Sequence, residues 1–126
     1  MAVILDHMSV ATRDKVATAE FYARVFGVKY EGPRRDFAPV KLSDGLTLNF
    51  EDAESYEPRH YAFRVSGEEF DGALGRLRAD EVPFGSSTAT KDGQVYDRGG
   101  LRGFYFGDPN GHGLELITPD GAASSR

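Results

Sequence analysis

His7, His60 and Glu115 are the residues of this chain whose types and placement could hold a divalent cation. His7 lies in the strand-like segment Ile4-Leu5-Asp6-His7-Met8-Ser9-Val10, and His60 in Arg59-His60-Tyr61-Ala62-Phe63-Arg64-Val65. Glu115 follows the turn Asp108-Pro109-Asn110-Gly111-His112, inside the apolar run Gly113-Leu114-Glu115-Leu116-Ile117. Two neutral imidazoles and one carboxylate form a ligand set that leaves coordination positions open for the oxygens of a substrate. An ionised carboxylate among apolar neighbours is costly unless paired, and a cation is a natural partner. The plainer alternative is a glutamate on the wet face of an edge strand. His112 sits in a Pro-Asn-Gly turn and is read as outside the ligand set. Asp6, one residue from His7, is expected on the opposite face of a regular strand.

The elements that must carry these residues repeat. Met1 to Val10 reads as a strand, and Ala17 to Phe26 as a helix with Phe21, Tyr22, Val25 and Phe26 at helical spacing and Gly27 as its stop. Strands are expected at Val28 to Glu31, Asp36 to Leu42 and Leu46 to Phe50, with Ser43-Asp44-Gly45 as a turn. After a polar connection over Glu51 to Pro58, the order begins again. His60 to Val65 reads as a strand, and Phe70, Ala73, Leu74 and Leu77 mark a helix face ending near Ala79. Strands follow at Val95 to Arg98, Arg102 to Phe106 and Gly113 to Ile117. Gly85 to Gly93 is the least ordered-looking internal stretch, and Ala122 to Arg126 reads as a loose tail. Matching His7 with His60 brings the helices into step, and matching the last strands sets Thr47 opposite Glu115 in the repeat. The expected fold is α+β. Two βαβββ modules, about 1–56 and 59–121 of a single domain spanning 1–121, would form a cupped mixed sheet around the metal site.

Composition removes several function classes. The chain has 126 residues, 40% of them hydrophobic, 28% charged and none cysteine. With a net charge of −5 it lacks the basic face that phosphate contacts require, so no nucleic-acid partner is expected. The absence of a long apolar run argues against a membrane span, and Val3-Ile4-Leu5 follows the start without a basic region, so no signal peptide is expected. No disulfide, thiolate nucleophile or sulfur ligand is available. A cytoplasmic protein is expected.

Together the motifs resemble the vicinal-oxygen-chelate superfamily of glyoxalase I, extradiol dioxygenases, fosfomycin-resistance enzymes and bleomycin-resistance proteins. The resemblance covers about residues 3 to 119. It rests on Leu5-Asp6-His7, the helix ending Phe21-Tyr22-Ala23-Arg24-Val25-Phe26-Gly27, the strand His60-Tyr61-Ala62-Phe63, and the run from Phe104 to Leu116. It implies His7, His60 and Glu115 as ligands of a divalent metal (Mn, Fe, Ni or Zn), a small oxygenated substrate, and a homodimer with sites at the subunit interface. Glyoxalase I has a second glutamate on the last strand of the first module. Thr47 stands at that place here and Asn49 shares its strand face, so a three-ligand site is expected rather than a four-ligand glyoxalase I. Tyr105 resembles a substrate-facing tyrosine of the fosfomycin-resistance enzymes, able to donate to an oxyanion or shuttle a proton; its alternative is a core aromatic. Ser9, Thr47, Asn49 and Arg102 are further candidates for substrate contact. The rival expectation is a metal-free, bleomycin-resistance-type binding protein, to whose cationic ligand an acidic chain would be suited.

Overall fold

A computed structural model describes residues 2–119, so the expected tail at Ala122 to Arg126 lies outside the described residues. These residues form two helices and eight strands, in two compact units that divide between Glu57 and Pro58. No helix among the described residues is long and apolar enough to cross a membrane.

The first unit contains β1 (His7–Thr12), α1 (Lys15–Phe26), β2 (Ala38–Ser43) and β3 (Leu46–Asp52). Its sheet runs β1-β3-β2, with β1 parallel and β2 antiparallel to β3. Asp14 caps α1, accepting a hydrogen bond from the Ala17 N–H at 3.1 Å and so satisfying a donor that the first turn leaves unpaired. Strand alternation sends Val10, Val40, Leu48 and Phe50 into the core with Tyr22 of α1, whose ring lies 4.6 Å from that of Phe50. The opposite parity leaves His7, Ser9, Pro39, Lys41, Thr47 and Asn49 on the other face of this sheet.

Two expectations for this unit are corrected. Val28 to Glu31 has strand-like alternation but forms no strand, because its backbone joins no ladder before Gly32 and Pro33 redirect the chain. The ladder of this unit therefore holds β1, β2 and β3. The first strand also begins at His7, not upstream, and Asp6 just before it accepts the Thr47 N–H on its carbonyl at 2.9 Å. Its carboxylate turns back to the His7 ring, with Oδ2 2.7 Å from Nδ1.

The second unit contains β4 (His60–Arg64), α2 (Gly67–Ala79), β5 (Phe84–Gly85), β6 (Tyr96–Arg98), β7 (Leu101–Gly107) and β8 (Gly113–Thr118). The sheet runs β4-β8-β7-β5, β4 parallel to β8, with β6 also paired to β7. Ser66 and Glu69 form a reciprocal capping box at the start of α2, satisfying two orphan donors. Phe70 and Leu77 of α2 pack with Phe104, Phe106, Leu114 and Leu116, all of them buried. The stretch over Gly85 to Gly93 is tied rather than loose. The Asp92 carboxylate accepts from the Ser86 hydroxyl at 2.7 Å and from the Ser86 and Gln94 N–H groups. These bonds hold its acid below the ordinary aspartate range, the Ser86 hydroxyl contributing most.

Candidate functional site

The second unit gathers its polar groups on the sheet face away from α2. On β7 and β8, Phe104, Phe106, Leu114 and Leu116 face the helix, so the intervening Tyr105 and Glu115 point the other way and are register partners. That register is fixed by the turn between the strands. There Asp108 N–H donates to the His112 carbonyl at 3.0 Å, and the Asp108 carboxylate accepts from the Asn110 and His112 N–H groups. His112 is buried, and its Nδ1 accepts the Arg59 N–H at 3.0 Å. Its ring therefore secures the chain entering β4, and the lone pair on Nδ1 is already engaged. Arg59 is followed by His60, which lies beside Gly113 in the parallel pairing of β4 and β8.

Glu115 is 8% exposed, and both of its oxygens have partners. Oε1 lies 3.2 Å from His60 Nε2, and Oε2 accepts the Tyr96 hydroxyl at 2.5 Å. A buried carboxylate with one oxygen unpaired would lose several kcal/mol of hydration without return, so Tyr96 and His60 together make the position tolerable. The His60 ring is about half exposed and lies 6.0 Å from the Tyr105 ring, which is 5.7 Å from that of Tyr96. A cavity of about 210 Å³ opens beside them, lined by His60, Tyr105, Thr88, Lys91 and Gly113 among others.

Tyr96 was not among the residues expected from sequence. Its position follows from the hairpin between β6 and β7. Gly99 and Gly100 both have positive φ, 60° and 89°, as a two-residue turn of this hand requires. The turn pairs Arg98 with Leu101, Asp97 with Arg102 and Tyr96 with Gly103. A Cβ on Gly103 would fall 2.1 Å from Tyr96 Cζ, so only glycine lets the phenol cross its own partner strand to reach Glu115. The Arg98 guanidinium stands 4.1 Å from the centroid of the same ring, a cation–π contact on its outer side. Burial raises the Tyr96 pKa above the ordinary range, and the hydrogen bond and charge of Glu115 raise it further. The phenol stays protonated and acts as a fixed donor. The readable signal was the Gly-Gly pair, which sets the hairpin register by itself.

Arg102 was expected near substrate, and the alternation of β7 corrects this. Its guanidinium lies on the α2 side, 3.0 Å from Asp71 and 4.4 Å from the Phe70 ring centroid. The repeat equivalence of Thr47 and Glu115 is also corrected. His7 pairs with Thr47 as His60 pairs with Gly113, so two residues onward Asn49 matches Glu115. Ser9 is the register partner of Asn49.

In the first unit His7 is exposed, and with its proton on Nδ1 it donates to Asp6 and keeps the Nε2 lone pair available. No group of three His, Asp or Glu side chains that could hold an ion is gathered among the described residues. The pair that is gathered, His60 and Glu115, fits a metal by its donor spacing. Two ligand atoms each about 2.0–2.2 Å from one ion lie roughly 3 Å apart, and these two are 3.2 Å apart.

A sequence model of the glyoxalase/bleomycin resistance protein/dioxygenase superfamily matches residues 4–116. The chain belongs to this superfamily. Among solved structures, the superfamily chain resembles the oxidase ChaP-H2 with a TM-score of 0.85 and 38% identity, over 94% of each chain. It resembles the oxidase ChaP-H1 with a TM-score of 0.84 and 34% identity, over 93% of this chain and 96% of that one. It is also 27% identical to the glutathione transferase FosA of Serratia marcescens, over 89% of this chain and 78% of that protein.

The packing of Tyr96 over Gly103 predicts that Gly103→Ala displaces the phenol from Glu115, with an overpacking cost of about 1–3 kcal/mol. Ultraviolet titration of the tyrosines checks this. Wild type should show one phenol ionising well above the rest, absent in Tyr96→Phe and returned toward the ordinary range in Gly103→Ala. An unchanged titration in Gly103→Ala would contradict the packing. Because the folded-state pKa is raised, the stability this phenol contributes is present in full below about pH 10 and lost as pH rises beyond it.

Proposed function

We propose that the protein is a small metal-dependent enzyme acting on an oxygenated organic molecule. His60, Glu115 and His7 would be the ligands of a divalent ion. The observation that carries this reading is the buried Glu115 carboxylate, fixed by Tyr96 on one oxygen and 3.2 Å from His60 Nε2 on the other. Superfamily membership and the similarity to two oxidases support an enzymatic role. A bound ion would supply Lewis acidity toward substrate oxygens and, if iron or manganese, redox capacity that zinc lacks. The greater identity to the ChaP oxidases than to FosA favours oxidation over glutathione transfer, and therefore iron or manganese over nickel or zinc.

The chain's own groups have separable tasks. Tyr96 holds the Glu115 carboxylate in one orientation and, with its pKa raised, does not compete as a base. Tyr105, on the same face, part-exposed and lining the adjoining cavity, would donate a hydrogen bond to an oxyanion developing on substrate. Asn49 stands where a four-ligand glyoxalase I would need a carboxylate, and its amide oxygen is a weaker ligand, which disfavours that chemistry.

Calorimetric titration of chelator-stripped protein tests the metal reading. Binding of Fe²⁺ or Mn²⁺ near one ion per chain is expected, with roughly a hundredfold loss or more in His60→Ala and Glu115→Gln. Absence of binding to well-folded wild type would contradict it and favour a metal-free binding module.

The functional unit is proposed to be a homodimer with sites shared between subunits. Val3, Ile4 and Leu5 are 103%, 72% and 59% exposed just ahead of Asp6 and His7, an apolar run that one chain leaves in solvent. Mixing His7→Ala with Glu115→Ala chains should regenerate about a quarter of the intact sites if each site draws on two subunits. Mixed samples that bind no more metal than either variant alone would contradict the shared arrangement.

A further inference from the structure

A second cavity lies wholly within the first unit, with a volume of about 360 Å³. It is lined by Lys29, Glu31, Gly32, Pro33 and Arg34 from the segment after α1, and by Pro39, Lys41 and Thr47 from the sheet. Its size is within the range of small-molecule sites. Pro39, Lys41 and Thr47 share the sheet face that carries His7, and Thr47 is the register partner of both His7 and Lys41.

The charge of this cavity runs against that of the chain. Overall, 20 acidic residues outnumber 15 basic ones, yet here three cations face a single carboxylate. Among the described residues, no ion pair involves Lys29, Arg34 or Lys41, and the Thr47 hydroxyl has no hydrogen-bond partner. Unpaired cations converging on one cavity create a local positive potential that attracts an anion and repels a cation. Pro33 and Pro39 add rigid apolar surface, suited to the body of an organic molecule rather than to a bare inorganic ion.

We infer that this cavity binds the oxyanion group of a small organic anion, through Arg34, Lys29 and Lys41, with the apolar part of the ligand against the two prolines. The inference names the substrate class of the site proposed above and so rests on reading this sheet face as substrate-binding. A cationic ligand, which the net charge alone would suit, is disfavoured by the local charge.

Amide NMR of the full chain, with and without chelator, tests the inference using salicylate, its neutral analogue salicylamide, and inorganic phosphate. Salicylate should give saturable shifts confined to residues around 29–34, 39–41 and 47. Arg34→Gln and Lys41→Gln should each weaken it about tenfold, and about 0.5 M salt should weaken it by screening. Salicylamide and phosphate should bind distinctly more weakly. His60→Ala should leave the shifts intact, so loss of metal binding and loss of anion binding are separate outcomes. Diffuse or non-saturating shifts, equal binding of salicylamide, or insensitivity to both substitutions would overturn the anion site. Phosphate binding as tightly as salicylate would overturn the assignment to organic anions.

Discussion

The buried Glu115 carboxylate is the constraint around which the second unit is arranged. A charge removed from water must recover its lost hydration from specific partners, and each partner here demands its own structural support. Tyr96 reaches Oε2 only because Gly103 has no side chain, and it faces Gly103 only because Gly99 and Gly100 make a two-residue turn. His60 reaches Oε1 because β4 runs parallel to β8 in a register secured by the His112 ring and the Asp108 turn. Residues far apart in sequence are thus committed to one acid group. Such a network stabilises the fold weakly at best, since apolar packing would serve as well.

Both sheets separate structure from chemistry by strand alternation. One face supplies the core beneath a capped helix, and the other carries side chains able to bind or react. In the second unit the division falls between Phe104 or Leu116 and Tyr105 or Glu115; in the first it falls between Val40 or Leu48 and Lys41 or Thr47. A change on the helix face therefore acts directly on the packed core. Arg102 illustrates the rule: a basic residue one position from Gly103 belongs to the helix face and is paired there with Asp71.

Much of this was legible in the sequence because periodicity and turn chemistry are local. The helix ending at Phe26, the strand beginning at His60 and the Asp-Pro-Asn-Gly turn before Glu115 all follow from short patterns. So does the α+β class with a repeated strand–helix order. What was not legible depended on pairing. Val28 to Glu31 has strand periodicity but no partner. Thr47 and Asn49 have the same parity, so only the ladder shows that Asn49 occupies the place of Glu115. Tyr96 is unremarkable until the Gly-Gly turn is used to set the register that brings it across Gly103.

The proposed function requires His60 and Glu115 to be a metal-ligand pair and not simply a histidine–carboxylate contact. Anomalous diffraction at the manganese or iron edge, from crystals grown with that ion, tests it most directly. A single strong peak is expected within about 2.3 Å of both His60 Nε2 and Glu115 Oε1, with Tyr96 still bonded to Oε2. Full metal occupancy at another place, or an unaltered direct contact between His60 and Glu115 in metal-saturated crystals, would contradict it.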